Sequence, residues 1–192
     1  MRKNSMVKLD KIYTRGGDGG ETSLGDGSRV AKYSLRVHAQ GDIDETNATI
    51  GLARRFADPE TTDAVLSRIQ NDLFDLGADV TRPGDDHTDG NLRIQPGQVD
   101  RLEAEIDEAN ENLEPLRSFV LRGGTDFAAS LHLACTVCRR AERVLTALSA
   151  EEPINTHGLK YLNRLSDLLF VMARAANDDG KTDVLWKPGQ NT

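Results

Sequence analysis

Apolar residues recur every three or four positions along most of the chain, and five stretches do so for long enough to predict α-helices. Residues 42–56 place Ile43, Ile50, Ala53 and Phe56 on one face, with Gly41-Asp42 as the expected start. Residues 61–78 carry Val65, Leu66, Ile69, Leu73 and Leu76; Asp58-Pro59 ends the helix before them and opens this one. Residues 97–114 give the cleanest seam, with Val99, Leu102, Ile106, Ala109, Leu113 and the following Leu116 opposite an acidic face closed by Pro115. Residues 126–149 align Leu131, Ala134, Cys138, Ala141, Leu145 and Leu148, and residues 157–177 bury Leu159, Leu162, Leu165, Leu169 and Met172. With no strand predicted, the fold class is all-α: a five-helix bundle over 41–177 within one domain spanning 1–192.

The stretches outside this periodicity differ in kind. Residues 7–12 alternate loosely, as a short extended segment would. YTRGGDGGET at 13–22, followed by Gly25, Asp26 and Gly27, holds too much glycine for a regular element and forms a flexible arm over 7–28. Such backbone can approach a phosphate chain closely, with Thr14, Thr22 and Arg15 adding hydroxyls and charge. It matches neither the GxxxxGK[ST] loop nor a strand–GxGxxG–helix unit, so an arm without ligand is an equal reading. Arg29, Lys32 and Arg36 add local positive charge behind it. Residues 81–95 (TRPGDDHTDGNLRIQ) read as an exposed loop with a solvated His87, and 178–192 as an extended tail whose Trp186 packs on the bundle or on a neighbour.

Composition narrows the classes. A net charge of -7 argues against general nucleic-acid binding, so any polyanion must meet a local cluster of cations. No run approaches the roughly 18 apolar residues of a membrane span, and MRKNSMVKLD lacks the apolar middle of a secretory signal; a cytoplasmic location is expected, with no membrane partner. Cys135 and Cys138 form a CxxC in mid-helix without a preceding strand, which suits small core residues better than redox or zinc chemistry. A di-metal carboxylate bundle is disfavoured, because none of His38, His87, His132 or His157 follows a glutamate by three residues.

The helix at 126–149 carries a second, polar stripe of His132, Cys135, Arg139, Glu142 and Arg143. Two guanidiniums and one carboxylate fixed at this spacing suit phosphate oxygens; a solvated face with i,i+4 pairing is the plain alternative.

Seven blocks, in order, resemble the trimeric ATP:cob(I)alamin adenosyltransferases of the propanediol-utilisation type. They are the arm at 13–22, RVAK at 29–32, GDIDE at 41–45 with Asn47, NDLFDLG at 71–77, FVL at 119–121 with Gly123-Gly124, RRAER at 139–143 and NRLSD at 163–167. The resemblance covers almost the whole chain. It implies a homotrimer with active sites between subunits, and transfer of the 5′-deoxyadenosyl group of ATP to the cobalt of reduced cob(I)alamin with release of triphosphate. The glycine-rich arm, through Thr14, Arg15, Gly16, Asp18, Gly19 and Thr22, is implied to fold over ATP. Lys32, Arg139, Glu142, Arg143 and Asn163 are implied to complete the nucleotide site, with Mg²⁺ held by the nucleotide rather than by side-chain ligands. Phe119 is implied to press on the lower face of the corrin and, with Arg139, to carry the catalytic role. Without the family, a core aromatic anchoring its loop is the simpler reading of Phe119. Implied partners extend to a flavin reductant and an adenosylcobalamin-dependent mutase.

Some positions depart from the family pattern. Cys135 stands where an arginine usually pairs with the carboxylate matching Asp44 across the subunit boundary. Arg122 replaces the proline of the Phe-x-Leu-Pro-Gly-Gly turn and is expected to replace part of that missing charge. Gln40 and Ala175 stand where bulkier residues are usual, and Gly17 replaces a polar one. These changes leave a second reading open: a protein of the same fold that binds ATP or corrinoid, or delivers adenosylcobalamin, with little turnover. A bundle without ligand is the third, and it leaves the arm glycines and Lys32 unexplained.

Overall fold

A computed structural model describes residues 11–85 and 90–191. His87 and most of the segment 7–12 lie outside the described residues. Five α-helices dominate: α1 (Leu35–Ala53), α2 (Thr62–Val80), α3 (Pro96–Asn110), α4 (Asp126–Glu151) and α5 (Thr156–Ala175). A 3-10 turn, Arg54–Phe56, closes α1. α1 packs on α2 and α4, and α5 lies between α4 and α3. The predicted stripes meet in one core, where Ile43, Ile50, Leu66, Ile69, Leu73, Leu76, Leu102, Leu131, Leu145 and Leu148 are almost fully buried. Each such side chain contributes about 1.5–3 kcal/mol on leaving water.

Two expectations about the N-terminal region change. α1 starts at Leu35 rather than at 42, so Gly41 lies inside the helix and not at its cap. A glycine there costs about 1 kcal/mol relative to alanine, and tertiary contacts on the extra turns offset it. Ala39 is fully buried. Arg36, also buried, donates to the Val80 carbonyl at 2.6 Å and to Glu152 Oε2 at 2.5 Å. Part of the glycine-rich arm is also regular. Strands β1 (Glu21–Ser23) and β2 (Arg29–Ala31) form an antiparallel hairpin with Thr22 opposite Val30. Its loop is stapled by Asp26, which accepts from the Ser28 N–H at 2.9 Å and hydroxyl at 2.6 Å, and by Gly27 at φ 86°. Gly25 N–H donates to the Thr81 carbonyl at 2.9 Å and so ties the hairpin to the end of α2.

The connection 81–95 is not wholly exposed. Arg93 and Ile94 are buried, drawn in by the buried carboxylate of Asp79. That carboxylate accepts from Arg93 Nη1 at 2.8 Å, the Ile94 N–H at 2.8 Å and Asn155 Nδ2 at 2.7 Å. α3 ends at Asn110, short of the predicted 114.

The turn before α4 and the chain after α5 are built together. Thr125 caps α4, its hydroxyl accepting from the Ala128 N–H at 3.1 Å. Gly124 has φ 110°, and a Cβ there would fall 2.0 Å from Asn177 Oδ1, so only glycine fits. Asn177 Oδ1 accepts from the Thr125 N–H at 3.1 Å, while its Nδ2 donates to Asp183 Oδ1 at 3.1 Å. Arg174 Nε meets Asp183 Oδ2 at 2.9 Å, both nearly buried. No described helix is long and apolar enough to cross a membrane.

Candidate functional site

The sequence-predicted residues fall into three groups and one isolated position. The first lies on α4 and α5. Arg139 and Arg143 are exposed, one turn apart, and Arg143 Nη1 donates to the Arg139 carbonyl at 3.0 Å. Glu142 between them is engaged by Asn163 of α5, whose Nδ2 donates to Oε1 at 2.8 Å; Arg164 holds Asn163 Oδ1. Arg139, Glu142, Arg143 and Thr146 line an open cleft of about 340 Å³. Neither Arg139 nor Arg143 forms an ion pair among the described residues. The neighbouring Arg140, by contrast, is neutralised by Asp42 at 2.6 Å and Glu45 at 2.5 Å. Two unpaired guanidiniums in an acidic protein form a ready receptor for a phosphate chain.

The second group is the arm. Residues 15–20 form a tight turn, with Asp18 N–H on the Arg15 carbonyl and Gly20 N–H on that of Gly17. Arg29 Nη2 braces it through the Gly16 carbonyl at 2.7 Å. Lys32 donates its backbone N–H to the Gly20 carbonyl at 2.8 Å. Its ammonium lies over the turn, 2.8 Å from where a Gly17 Cβ would stand. The structure thus brings Thr14, Arg15, Gly16, Asp18, Gly19, Thr22 and Lys32 into one exposed unit. No hydrogen bond or ion pair among the described residues joins this unit to the α4–α5 cluster.

The third group surrounds Phe119. The residue is 76% exposed, which overturns the core-aromatic reading. The segment 118–121 runs antiparallel to 184–186: Trp186 N–H donates to the Phe119 carbonyl and Leu121 N–H to that of Val184, both at 2.8 Å. The Ser118 hydroxyl adds a bond to the Trp186 carbonyl at 2.7 Å. Phe119 and Trp186 rings lie 5.9 Å apart at 53°, with Leu121 and Val184 exposed beside them. This is a continuous apolar wall open to solvent. The sequence reading did not connect Trp186 with Phe119; the apolar Val184-Leu185-Trp186 run in the tail was the available signal.

Behind the wall, the polar stripe of α4 divides. His132 and Cys135 are buried, unlike Arg139 and Arg143. Cys135 Sγ donates to the Ser166 carbonyl at 3.2 Å and Cys138 Sγ to that of Leu162 at 3.3 Å. Burial pushes both thiols up, so they are core hydrogen-bond donors rather than nucleophiles. Arg122 Nη1 lies 3.2 Å from His132 Nδ1. Burial first, then Arg122, pushes the His132 pKa down, with Asp183 opposing. His132 Nε2 is buried without a partner among the described residues, at a cost of about 1–3 kcal/mol.

Asp44 stands apart. It is exposed on α1 beside a groove of about 220 Å³ that also includes Gln40 and Phe74. It forms no ion pair among the described residues, and Arg122 does not reach it within the chain.

Exposed cations on one helix and an exposed aromatic wall near its start give this helical bundle one surface suited to an anion and another suited to a large apolar group. Comparison with known proteins agrees. Residues 12–176 match the cobalamin adenosyltransferase family. A corrinoid adenosyltransferase of Mycobacterium tuberculosis is 51% identical over 95% of this chain and 96% of its own. A cobalamin adenosyltransferase of Cupriavidus metallidurans is 49% identical over 94% and 96%. Among solved structures, a variant PduO-type ATP:corrinoid adenosyltransferase from Lactobacillus reuteri, complexed with cobalamin and ATP, superposes with a TM-score of 0.86 at 36% identity, over 93% of this chain and 97% of that one. The chain belongs to the cobalamin adenosyltransferase family, and is a transferase of that class.

Proposed function

We propose that this protein transfers the 5′-deoxyadenosyl group of ATP to the cobalt of reduced cob(I)alamin. The cobalt lone pair attacks the 5′-carbon, the bond from that carbon to the triphosphate oxygen breaks, and the electron pair leaves with inorganic triphosphate. The substrate metal is the nucleophile, so no activated side chain is required. The protein's tasks are positioning and stabilisation of the leaving charge. The observation that carries this reading is the pair of unpaired guanidiniums, Arg139 and Arg143, on the helix whose entry turn presents Phe119.

Arg139, Arg143 and Lys32, with the N–H groups of the arm turn, would hold the triphosphate; Asn163 sets Glu142 beside it. Mg²⁺ would arrive on the phosphates and neutralise them. Phe119, backed by Trp186, would exclude water and a lower axial base from the cobalt, and axial ligation governs how readily Co(II) is reduced. The separation of the arm from the α4–α5 cluster supports a site completed between subunits of a homotrimer. In it, Asp44 and its groove would face a neighbour. A flavin reductant and an adenosylcobalamin-dependent mutase would stand before and after this step.

An anaerobic assay with reduced cobalamin, ATP and Mg²⁺ tests the reading. A light-sensitive cobalt–carbon product with stoichiometric triphosphate is expected. Binding of both substrates without that product would favour a carrier instead, a reading that draws on the unpaired Asp44 and the neutral Cys135. Light scattering at assay concentration tests the trimer.

A further inference from the structure

Arg122 belongs to the turn that carries Phe119, yet its side chain is anchored on the bundle. Nη1 approaches Nδ1 of His132 on α4 at 3.2 Å, and the guanidinium carbon lies 5.0 Å from the centre of the Phe170 ring on α5. The His132 and Phe170 rings are 6.0 Å apart. A guanidinium has donors only, so this contact requires a lone pair on Nδ1. The neutral imidazole must then carry its proton on Nε2, the buried atom with no partner among the described residues. The ring is thus arranged around the arginine at the expense of its own second bond.

The groups that face His132 are Arg122 from the turn, Phe170 from α5 and Asp183 from the segment after α5. Asp183 is already held by Arg174 and Asn177, so it is not free to swing toward an imidazolium. A proton on Nδ1 would set two donors and two cations against each other and end the contact. The opposite side of the turn is held by the 184–186 segment, through Leu121 and Phe119 backbone bonds. Arg122 and the tail therefore hold the Phe119 turn from its two sides.

We propose that Arg122 is a positioning residue for adenosyl transfer: through neutral His132 and the face of Phe170 it fixes one side of the turn that presents Phe119 to the corrinoid, and protonation of His132 frees that side. The proposal rests on the transferase reading for its substrate. It differs from charge replacement across a subunit boundary, because both contacts lie within one chain.

The test uses the full-length protein saturated with ATP and Mg²⁺, with cob(II)alamin as probe. Arg122→Ala should raise the corrinoid Kd about tenfold, the scale of a lost hydrogen bond to a charged group. It should also reduce the electron-paramagnetic signal of cobalt lacking a lower axial ligand, while leaving the KM for ATP unchanged. Burial and Arg122 hold the His132 pKa below the ordinary imidazole value, so wild-type corrinoid affinity should fall only at a pH more acid than that value, and Arg122→Ala should not show that acid limb. His132→Asn keeps an acceptor near the Nδ1 position but cannot ionise; it should bind as wild type at neutral pH and stay flat in acid. An Arg122→Ala protein with wild-type affinity, signal and pH profile overturns the proposal, as does an equal loss for both substrates. Arg122 is exposed, so this variant decides the matter even if His132→Asn fails to fold. Should the wild type make no adenosylcobalamin, the transferase reading fails separately, and the binding and spectroscopic arms still report on Arg122.

Discussion

Trp186 and Phe119 are joined twice: the Trp186 N–H donates to the Phe119 carbonyl at 2.8 Å, and their rings lie 5.9 Å apart. The two residues are 67 positions apart, and the backbone bonds fix the register that brings the rings together. Trp186→Ala should therefore weaken corrinoid binding by about tenfold, on the scale of losing one aromatic contact at an interface, with the ATP KM unchanged. Spectroscopic titration of corrinoid against the variant checks this. An unchanged corrinoid Kd would place the ligand elsewhere.

Arg139 and Arg143 differ from Arg140 in having no carboxylate partner among the described residues. Replacing either by alanine should lower kcat/KM for ATP by about 10²–10³, the range for losing one preorganised donor to a developing charge. Stability should be nearly unaffected, because exposed cations of this kind contribute within about 0.5 kcal/mol. Arg140→Ala should do the reverse, since it strips the buried Asp42 of its cation. Steady-state kinetics and thermal melts on the three variants separate the two effects.

Gly124→Ala tests the joint between α4 and α5. The left-handed backbone alone costs about 1–3 kcal/mol, and the new Cβ would displace the Asn177 amide, so loss of Tm should exceed that of a typical surface substitution. Asn177→Ala should also destabilise, because Thr125, Gly123 and Asp183 all lose a partner. Calorimetry of both variants measures it.

Asp63 receives both Arg54 Nε at 2.7 Å and Nη2 at 2.8 Å. That pairing, opposed by slight desolvation, holds its carboxyl below the usual value of 3.8. A native pKa below the unfolded one means stability that is present above about pH 4 and lost as pH falls through the native value. The wild type should therefore lose more stability than Asp63→Asn when denaturant midpoints are followed from about pH 5 to pH 3. Parallel acid limbs would show that the pair contributes nothing.

Gly17→Ser should leave the melting temperature within experimental scatter yet raise the KM for ATP. The added Cβ meets the flexible end of Lys32 most closely and the Glu21 carbonyl oxygen at 3.3 Å, so folding accommodates it mainly by moving the ammonium. The expected change is several-fold, as for one displaced phosphate contact of about 1 kcal/mol.

Much of this was legible in the letters. The helical stripes located all five helices because a period near 3.6 leaves few alternatives once the core must be dry. The seven ordered blocks carried the family. What failed to show depended on contacts between distant segments. Gly41 looked like a helix start, because nothing local reveals that Arg36 will find Glu152 and the Val80 carbonyl. The hairpin was hidden because Asp26, Ser28 and Thr81 supply the constraint that the glycines lack. Arg93 and Ile94 were assigned to solvent because the pull of Asp79 comes from another helix. His132 and Arg139 share a face by spacing yet differ in burial, since the Phe119 turn and the chain after α5 cover only the first turns of α4.

One consequence of the Phe119–Trp186 wall is practical. The chain contains a single tryptophan, so its indole emission originates at the Phe119 wall, the surface proposed to meet the corrin. Quenching of that native fluorescence would follow ligand arrival in real time, with no dye, label or coupled reporter.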